Sequence, residues 1–311
     1  MVDAHVHRPV LFEEALEGLH IAPQGRYIDG TFGRGGHAGA ILSRLGEEGA
    51  LLALDKDPDA VAFGRELFLD DPRFSICQGS FTQMGEQVAA LGWAGRVDGV
   101  LLDLGVSSPQ LDRADRGFSF LQDGPLDMRM DNSGGRSAAD WLAGAGEEEI
   151  VQVIKKYGEE RFARRIANAI VKERQQAPIQ TTGRLAGIIA EAVPVKEKGK
   201  HPATRSFQAM RIFINRELEE LPVCLQQAVS ILKPGGRLAV ISFHSLEDRI
   251  VKRFIREACR GDRFPPGLPV TQDQLRPTMK AIGKAMRPSA DEVMANPRSR
   301  SAVLRVAERL A

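Results

Sequence analysis

The chain has 311 residues, 43% of them hydrophobic and 27% charged. That composition gives room for one or two globular domains and excludes collagen-like, coiled-coil and wholly disordered chains. The formal charge of +1 speaks against a nucleic-acid binder only as a sum, because residues 1–135 carry −10, residues 136–248 carry +3 and residues 249–311 carry +8.

In chain order, the start MVDAHVHRPVLFEEALEGL has no apolar stretch long enough for a signal peptide. No later run approaches a membrane span. Strand and helix signals then alternate. Tyr27-Ile28-Asp29 is a short apolar run ending in an acid, and Gly30 to His37 is a glycine-rich turn. Ala38 to Leu45 has helical spacing. Ala50 to Asp55 is a continuous apolar run, Asp59 to Leu69 reads helical, and Phe74 to Cys77 is a third short strand. Val97 to Leu104 is a fourth. Runs that are apolar on both faces, separated by helices, predict a parallel sheet covered on both sides.

From about Leu111 to Arg216 strand signals stop. Gly117 to Phe120 and Asp123 to Met130 read as irregular loop; Glu147–Tyr157, Glu159–Arg174 and Thr182–Ala192 read as helices. After the breaker His201-Pro202-Ala203-Thr204, a helix is expected from Ser206 to Leu221 and another from Pro222 to Leu232, stopped by Lys233-Pro234-Gly235-Gly236. The strand pattern returns at Arg237–Phe243, and Ser301–Ala307 reads as an edge strand. The expected organisation is a sheet domain over residues 1–110 and 217–311, interrupted by a mostly helical domain over residues 111–216.

Three motifs carry chemistry. Asp29 followed by glycines lets the backbone turn tightly and approach a ligand, but the spacing G-x-x-G-x-G-G is not that of a dinucleotide fold. Asp55, at the end of the second run, suits the two hydroxyls of a ribose, which NAD and S-adenosylmethionine share. Asp57 beside Pro58 is the better helix cap. Phe81, after the third strand, could flank an adenine or simply pack in the core. The fourth strand ends in Asp103-Leu104-Gly105-Val106-Ser107-Ser108-Pro109-Gln110. This resembles the Asp/Asn/Ser-Pro-Pro-aromatic segment of amino-directed methyltransferases, with one proline and Gln110 in place of the aromatic. An exocyclic amino group is a poor nucleophile, and serine hydroxyls or carbonyls that accept its N–H hold it in line with a methyl donor. Cys77, Cys224 and Cys259 form no CxxC and suit a reducing compartment. His5, His7, His37, His201 and His244 lack metal-ligand spacing, so no metal is expected.

Together, His7 to Leu11, Asp29 to His37, Asp103 to Asp112, Arg116 to Phe120, Asp123 to Asp131, His201 to Arg205 and Ile241 to Arg249 resemble the bacterial 16S ribosomal RNA cytosine-N(4) methyltransferases of the MraW type. DLGVSSPQLD and DGPLDMRMD are long strings of low degeneracy, and the resemblance runs over essentially the whole chain. It implies a Rossmann-like class I α/β sheet with an inserted helical substrate-recognition domain, S-adenosylmethionine as cofactor, and a cytosine of 16S ribosomal RNA in the small subunit as substrate. It also implies cofactor contacts at Gly35, Gly36, His37, Asp55, Phe81, Asp103 and Gln110. Asp103, Ser107, Ser108 and Pro109 would form the wall between cofactor and base. Arg205, Arg211, Arg249, Lys252 and Arg253 are expected to meet phosphates. A cytoplasmic chain follows, and a homodimer is left open. An amino-directed DNA methyltransferase shares the same pocket logic; a nucleotide-fold oxidoreductase is disfavoured by the glycine spacing, and a ribosome-binding module with a dead site is the third alternative.

Overall fold

The computed structural model describes residues 9–195, 199, 201–262 and 274–311. His5, His7 and Arg8 therefore lie outside the described residues. The chain divides into two compact units: one from Met1–Gly105 with Leu218–Ala311, the other from Val106–Glu217.

The first unit is built on a seven-stranded sheet. Its strands are β1 (Arg26–Asp29), β2 (Ala50–Asp55), β3 (Phe74–Gln78), β4 (Val97–Asp103), β5 (Leu232–Ser242), β6 (Met279–Met286) and β7 (Val303–Arg309), in the order β3-β2-β1-β4-β5-β7-β6. The first five run parallel, and β7 pairs antiparallel with both β5 and β6. Alternation explains why these runs are apolar throughout. Ile28, Leu52, Leu54, Val100, Leu102, Leu238 and Val240 enter one core cluster. Tyr27, Leu51, Ala53, Leu101, Ala239 and Ile241 enter the other, so both faces are buried. Helices α1 (Phe12–Leu19), α2 (Gly36–Leu42) and α3 (Pro58–Leu67) belong to this unit, as do α4 (Met84–Ala90) and the helix Ser245–Arg260 that follows β5. Asp57 caps α3, accepting from Asp59 N at 3.0 Å with Pro58 in the first turn, as expected.

Two sheet expectations need correction. The run at Ser301–Ala307 is β7, an interior strand; the edge is β6 beyond it. β6 shows little alternation because most of it is exposed, and a shift in register between Ile282 and Met286 breaks its period. The helix before Lys233–Gly236 does stop there, at Ile231, but the strand expected from Arg237 already starts at Leu232, so the segment is part of the sheet. It falls within β5, where the pairing slips between Val97 and Gly99 and Gly235 takes φ +79°.

The second unit holds the short helix α5 (Ser108–Asp112), then α6 (Ala138–Gly144), α7 (Glu147–Gly158), α8 (Ala163–Gln176), α9 (Thr182–Ala192) and α10 (Thr204–Asn215). Trp141, Ile150, Ile154, Ile166, Ile170, Phe207 and Met210 are buried in it. The expected helix Ser206–Leu221 ends early. Arg216 adopts left-handed φ 55°, and Asn215 Nδ2 donates to Met128 O at 2.7 Å while its Oδ1 accepts from Met130 N at 2.7 Å. Asn215 thereby satisfies a buried loop that the helix would otherwise strand. The next helix, α11 (Glu217–Ile231), carries Pro222 inside it rather than at its start.

Candidate active site

The parallel strands of the first unit deliver acids at their carboxyl ends, where an open α/β sheet binds ligands. Asp29 ends β1, Asp55 ends β2 and Asp103 ends β4. The glycine turn lies over them. Gly30 N donates to Leu101 O at 2.9 Å, Phe32 N to Leu54 O at 3.1 Å, and Asp103 N to Thr31 Oγ1 at 2.6 Å. Asp55 ties the turn from below: its Oδ2 accepts from Gly33 N at 2.7 Å and its Oδ1 from Asp57 N at 2.9 Å. Gly35 takes φ +73° at the start of α2, and a Cβ there would sit 2.8 Å from Phe32 Cζ. A Cβ on Gly36 would sit 2.4 Å from Pro9 Cγ. Gly35 is thus required by the backbone path itself, and Gly36 by the close approach of the Pro9 ring.

The electrostatics are unusual for a folded interior. Asp29 is 1% exposed, and burial pushes its carboxyl up to about 7 even though Thr31 N donates to it at 3.1 Å. Burial also pushes Asp103 up to about 8, and the neighbouring Asp29 and Glu247 add to the shift. The Asp103 side chain keeps an exposed rim, yet its Oδ1 is shut off from solvent with no hydrogen-bond partner among the described residues. His37 is 5% exposed, and burial lowers it to about 4, so it is a neutral imidazole at physiological pH. Its Nε2 is 3.7 Å from Asp103 Oδ2, too far for a hydrogen bond, and neither ring nitrogen has a partner among the described residues. Phe12 stacks on the ring at 5.8 Å between centroids.

Buried polar atoms without partners are rare and call for an explanation. A cationic ligand supplies one. Two carboxyls that resist ionisation by burial and mutual repulsion would ionise beside a fixed positive charge. S-adenosylmethionine carries such charge on its sulfonium and its ammonium, whereas the pyrophosphate of a dinucleotide would add to the repulsion. The residues present therefore fit S-adenosylmethionine.

Phe81 follows β3, with its Cβ 3.5 Å from where a Cβ on Gly30 would lie. Beside it, Lys56 Nζ pairs with Glu220 at 2.7 Å, and Ser80 Oγ donates to the same carboxylate at 2.5 Å. That network and Glu247 were not foreseen from the sequence. Glu247 accepts from Phe243 N at 2.8 Å and His244 N at 3.3 Å, so it reads in sequence as an ordinary capping acid. Only its 2% exposure and its repulsion of Asp103 mark it out.

Ser107, Ser108, Pro109 and Gln110 belong to the second unit. Gln110 is 3% exposed, and its Oε1 accepts from Ser107 N at 2.9 Å. The carbonyls of Ser107 and Pro109 accept from Leu111 N at 3.3 Å and Arg113 N at 3.0 Å. Ser107 Oγ already caps Gln110 N, which leaves the Ser108 hydroxyl, rather than these carbonyls, as the acceptor with most to offer a ligand. Arg211 is not open to a phosphate as expected: two of its three guanidinium nitrogens bind Glu217, at 2.9 and 2.8 Å. Among the described residues no helix is long and apolar enough to cross a membrane.

The chain is 61% identical over 309 residues to the ribosomal RNA small subunit methyltransferase H of Thioalkalivibrio sulfidiphilus, covering 99% of this chain and 98% of that one. An rRNA methylase from Streptococcus thermophilus is similar at 10% identity and a TM-score of 0.44, over 98% of this chain and 99% of that chain. TrmN from Thermus thermophilus is similar at 13% identity and a TM-score of 0.42, over 96% of this chain and 48% of that chain. These two likenesses are too loose to carry weight. The model of the MraW methylase family matches residues 4–310. With so complete a match behind the acid-lined glycine turn, the chain belongs to the MraW methylase family.

Proposed function

We propose that this protein methylates the exocyclic N(4) amino group of a cytosine in 16S ribosomal RNA of the small ribosomal subunit, with S-adenosylmethionine as donor. The observation that carries the reading is the buried acid pair Asp29 and Asp103 beside the unpartnered His37, a site whose own chemistry asks for a cation. Gly35, Gly36, His37, Asp55, Phe81, Asp103 and Gln110 would hold the cofactor. When bound, it supplies an electrophilic methyl group on a positively charged sulfur. The relative's name supplies the substrate class.

The chain's own residues then have separable tasks. Asp29 and Asp103 stabilise positive charge while it lasts. Ser107 and Ser108 offer hydroxyls to the amino N–H groups and favour a pyramidal nitrogen, and Pro109 stiffens that segment. The target base is splayed from its stack so that the pocket can reach it. No general base is required, because the amino proton becomes acidic once nitrogen has gained the methyl group and can leave to water. The reading places the protein in the cytoplasm with its ribosomal substrate.

Methyl incorporation into small subunits, free 16S RNA and duplex DNA tests it. Transfer to RNA or subunits, lost in D103A, is expected. Transfer to duplex DNA alone would establish the DNA alternative, and full activity in D103A would sink the assignment of the site.

A further inference from the structure

The helix after β5, α12 (Ser245–Arg260), is sharply two-sided. Val251 and Ile255 are buried, and Phe254, Ala258 and Cys259 pack beside them against the core of the first unit. Along its other side Arg249, Lys252, Arg253, Arg256 and Arg260 are exposed, spaced three or four residues apart. Over those twelve residues the stripe extends about 16 Å along the helix axis.

Every acid on this helix is already committed. Glu247 caps Phe243 N and His244 N, Asp248 takes Arg305 at 2.7 and 3.1 Å, and Glu257 takes Arg253 at 3.0 Å. Arg253 is offset by Glu257, while Lys252, Arg256 and Arg260 make no ion pair among the described residues, so the exposed side is predominantly cationic. Neighbours four apart repel, as in Lys252 with Arg256 and Arg256 with Arg260. At Lys252, Arg256 and Arg260 the helix keeps like charges side by side, an arrangement that a polyanion relieves. Four of the five cations are arginines, whose planar fork suits phosphate.

The stripe also begins near the reaction centre. β5 pairs with β4 up to Asp103 opposite Ile241, and α12 starts three residues after β5 ends, so its first turn lies at the same carboxyl end of the sheet as Asp103. We propose that the outer side of α12 is a track for the RNA sugar-phosphate backbone leading away from the methyl-transfer site. The unit that binds the cofactor thus also grips the substrate, alongside whatever the helical insertion contributes. This rests on the RNA-methylation reading above.

The test is K252E/R256E/R260E in the full chain, assayed for methyl transfer to 16S RNA and to small subunits across a salt series. The expected result is a KM for RNA raised at least tenfold, with kcat, S-adenosylmethionine affinity and melting temperature unchanged. Because each phosphate contact contributes about 0.7 to the slope of log affinity against log salt on a single strand, the slope should become shallower by about 2. If the charge-reversed chain does not fold, K252Q/R256Q/R260Q must show the same pattern in weaker form. An unchanged KM and slope would overturn the proposal, as would an equal loss from three exposed cations elsewhere, R65E/R96E/K284E. Unaltered RNA affinity with lost binding to phosphatidylserine vesicles would instead assign the stripe to a membrane surface. A wild-type enzyme that methylates no RNA would sink the functional reading itself, which keeps the two failures apart.

Discussion

Replacing Asp103 by Asn should abolish methyl transfer and yet make the ligand-free protein more stable. Asp103 sits at about 8 in the folded chain against an ordinary 3.8. Between those pH values the folded state holds a proton that the unfolded state has released. Stability is therefore fully present below about pH 4 and is lost progressively as pH rises to about 8. At 1.36 kcal/mol per pH unit the loss at pH 7.5 has an upper bound of about 5 kcal/mol. The exposed rim of the carboxyl and the charge it shares with Asp29 bring this to on the order of 2–5 kcal/mol. Asn keeps the shape and forfeits no hydrogen bond at Oδ1, which has none. Melting curves of wild type and D103N without cofactor, at pH 5 and pH 7.5, read the difference. At about 2–4 °C per kcal/mol, the variant should melt at least about 4 °C higher at pH 7.5, with the gap closing towards pH 5. A variant no more stable than wild type at pH 7.5, or a gap that widens as pH falls, would refute the buried-acid account.

The same acids predict that cofactor binding near pH 7.5 releases protons, because a cation favours the ionised carboxyls; calorimetry in buffers of different ionisation enthalpy would show it, and proton uptake would contradict it. Gly35→Ala forces a side chain into φ +73° against Phe32 and should cost about 1–2 kcal/mol in denaturant unfolding, with weakened cofactor affinity. Asp55→Ala removes the acceptor for Gly33 N and Asp57 N and should weaken cofactor binding at least tenfold by calorimetric titration. Unchanged affinity would show that the turn holds without it. Asn215→Ala strands Met130 N and Met128 O and should cost about 2–6 kcal/mol at about 1–3 kcal/mol per buried group, measured by urea unfolding.

What could be read from the sequence follows burial. Strands β1, β2 and β4 lie in the middle of a parallel sheet, so both faces must be apolar and the runs stand out. Their terminal acids, Asp29, Asp55 and Asp103, stand out against those runs for the same reason. β6 escaped because an exposed outer strand needs no apolar pattern, and Lys280, Gly283 and Lys284 read as loop. His37 was legible only through the family resemblance; nothing in its spacing shows that both its nitrogens end up buried without partners. Glu247 was hidden by a second role, since capping a helix is reason enough for a glutamate at that position. The break at Asn215 depends on partners 85 and 87 residues away, which no local pattern encodes.

The segregation of charge along the chain takes on a different meaning in the folded protein. In sequence, an acidic first part and a basic last part look like a cofactor half and an RNA half. The fold instead brings the −10 of the N-terminal part and the +8 of the C-terminal part largely into one unit, whose net charge is −2. Within that unit the two signs are separated by depth. Asp29 and Asp103 are held near the carboxyl ends of the strands, where low dielectric strengthens their pull on a cation. The cations of α12 stand in water, where salt screens them beyond about 8–10 Å. A nearly neutral unit can therefore attract a cationic donor inside and a polyanionic substrate outside without one field cancelling the other. It follows that salt should weaken RNA binding steeply and cofactor binding hardly at all, and comparable salt dependence of the two would mean that the charges are not separated in this way.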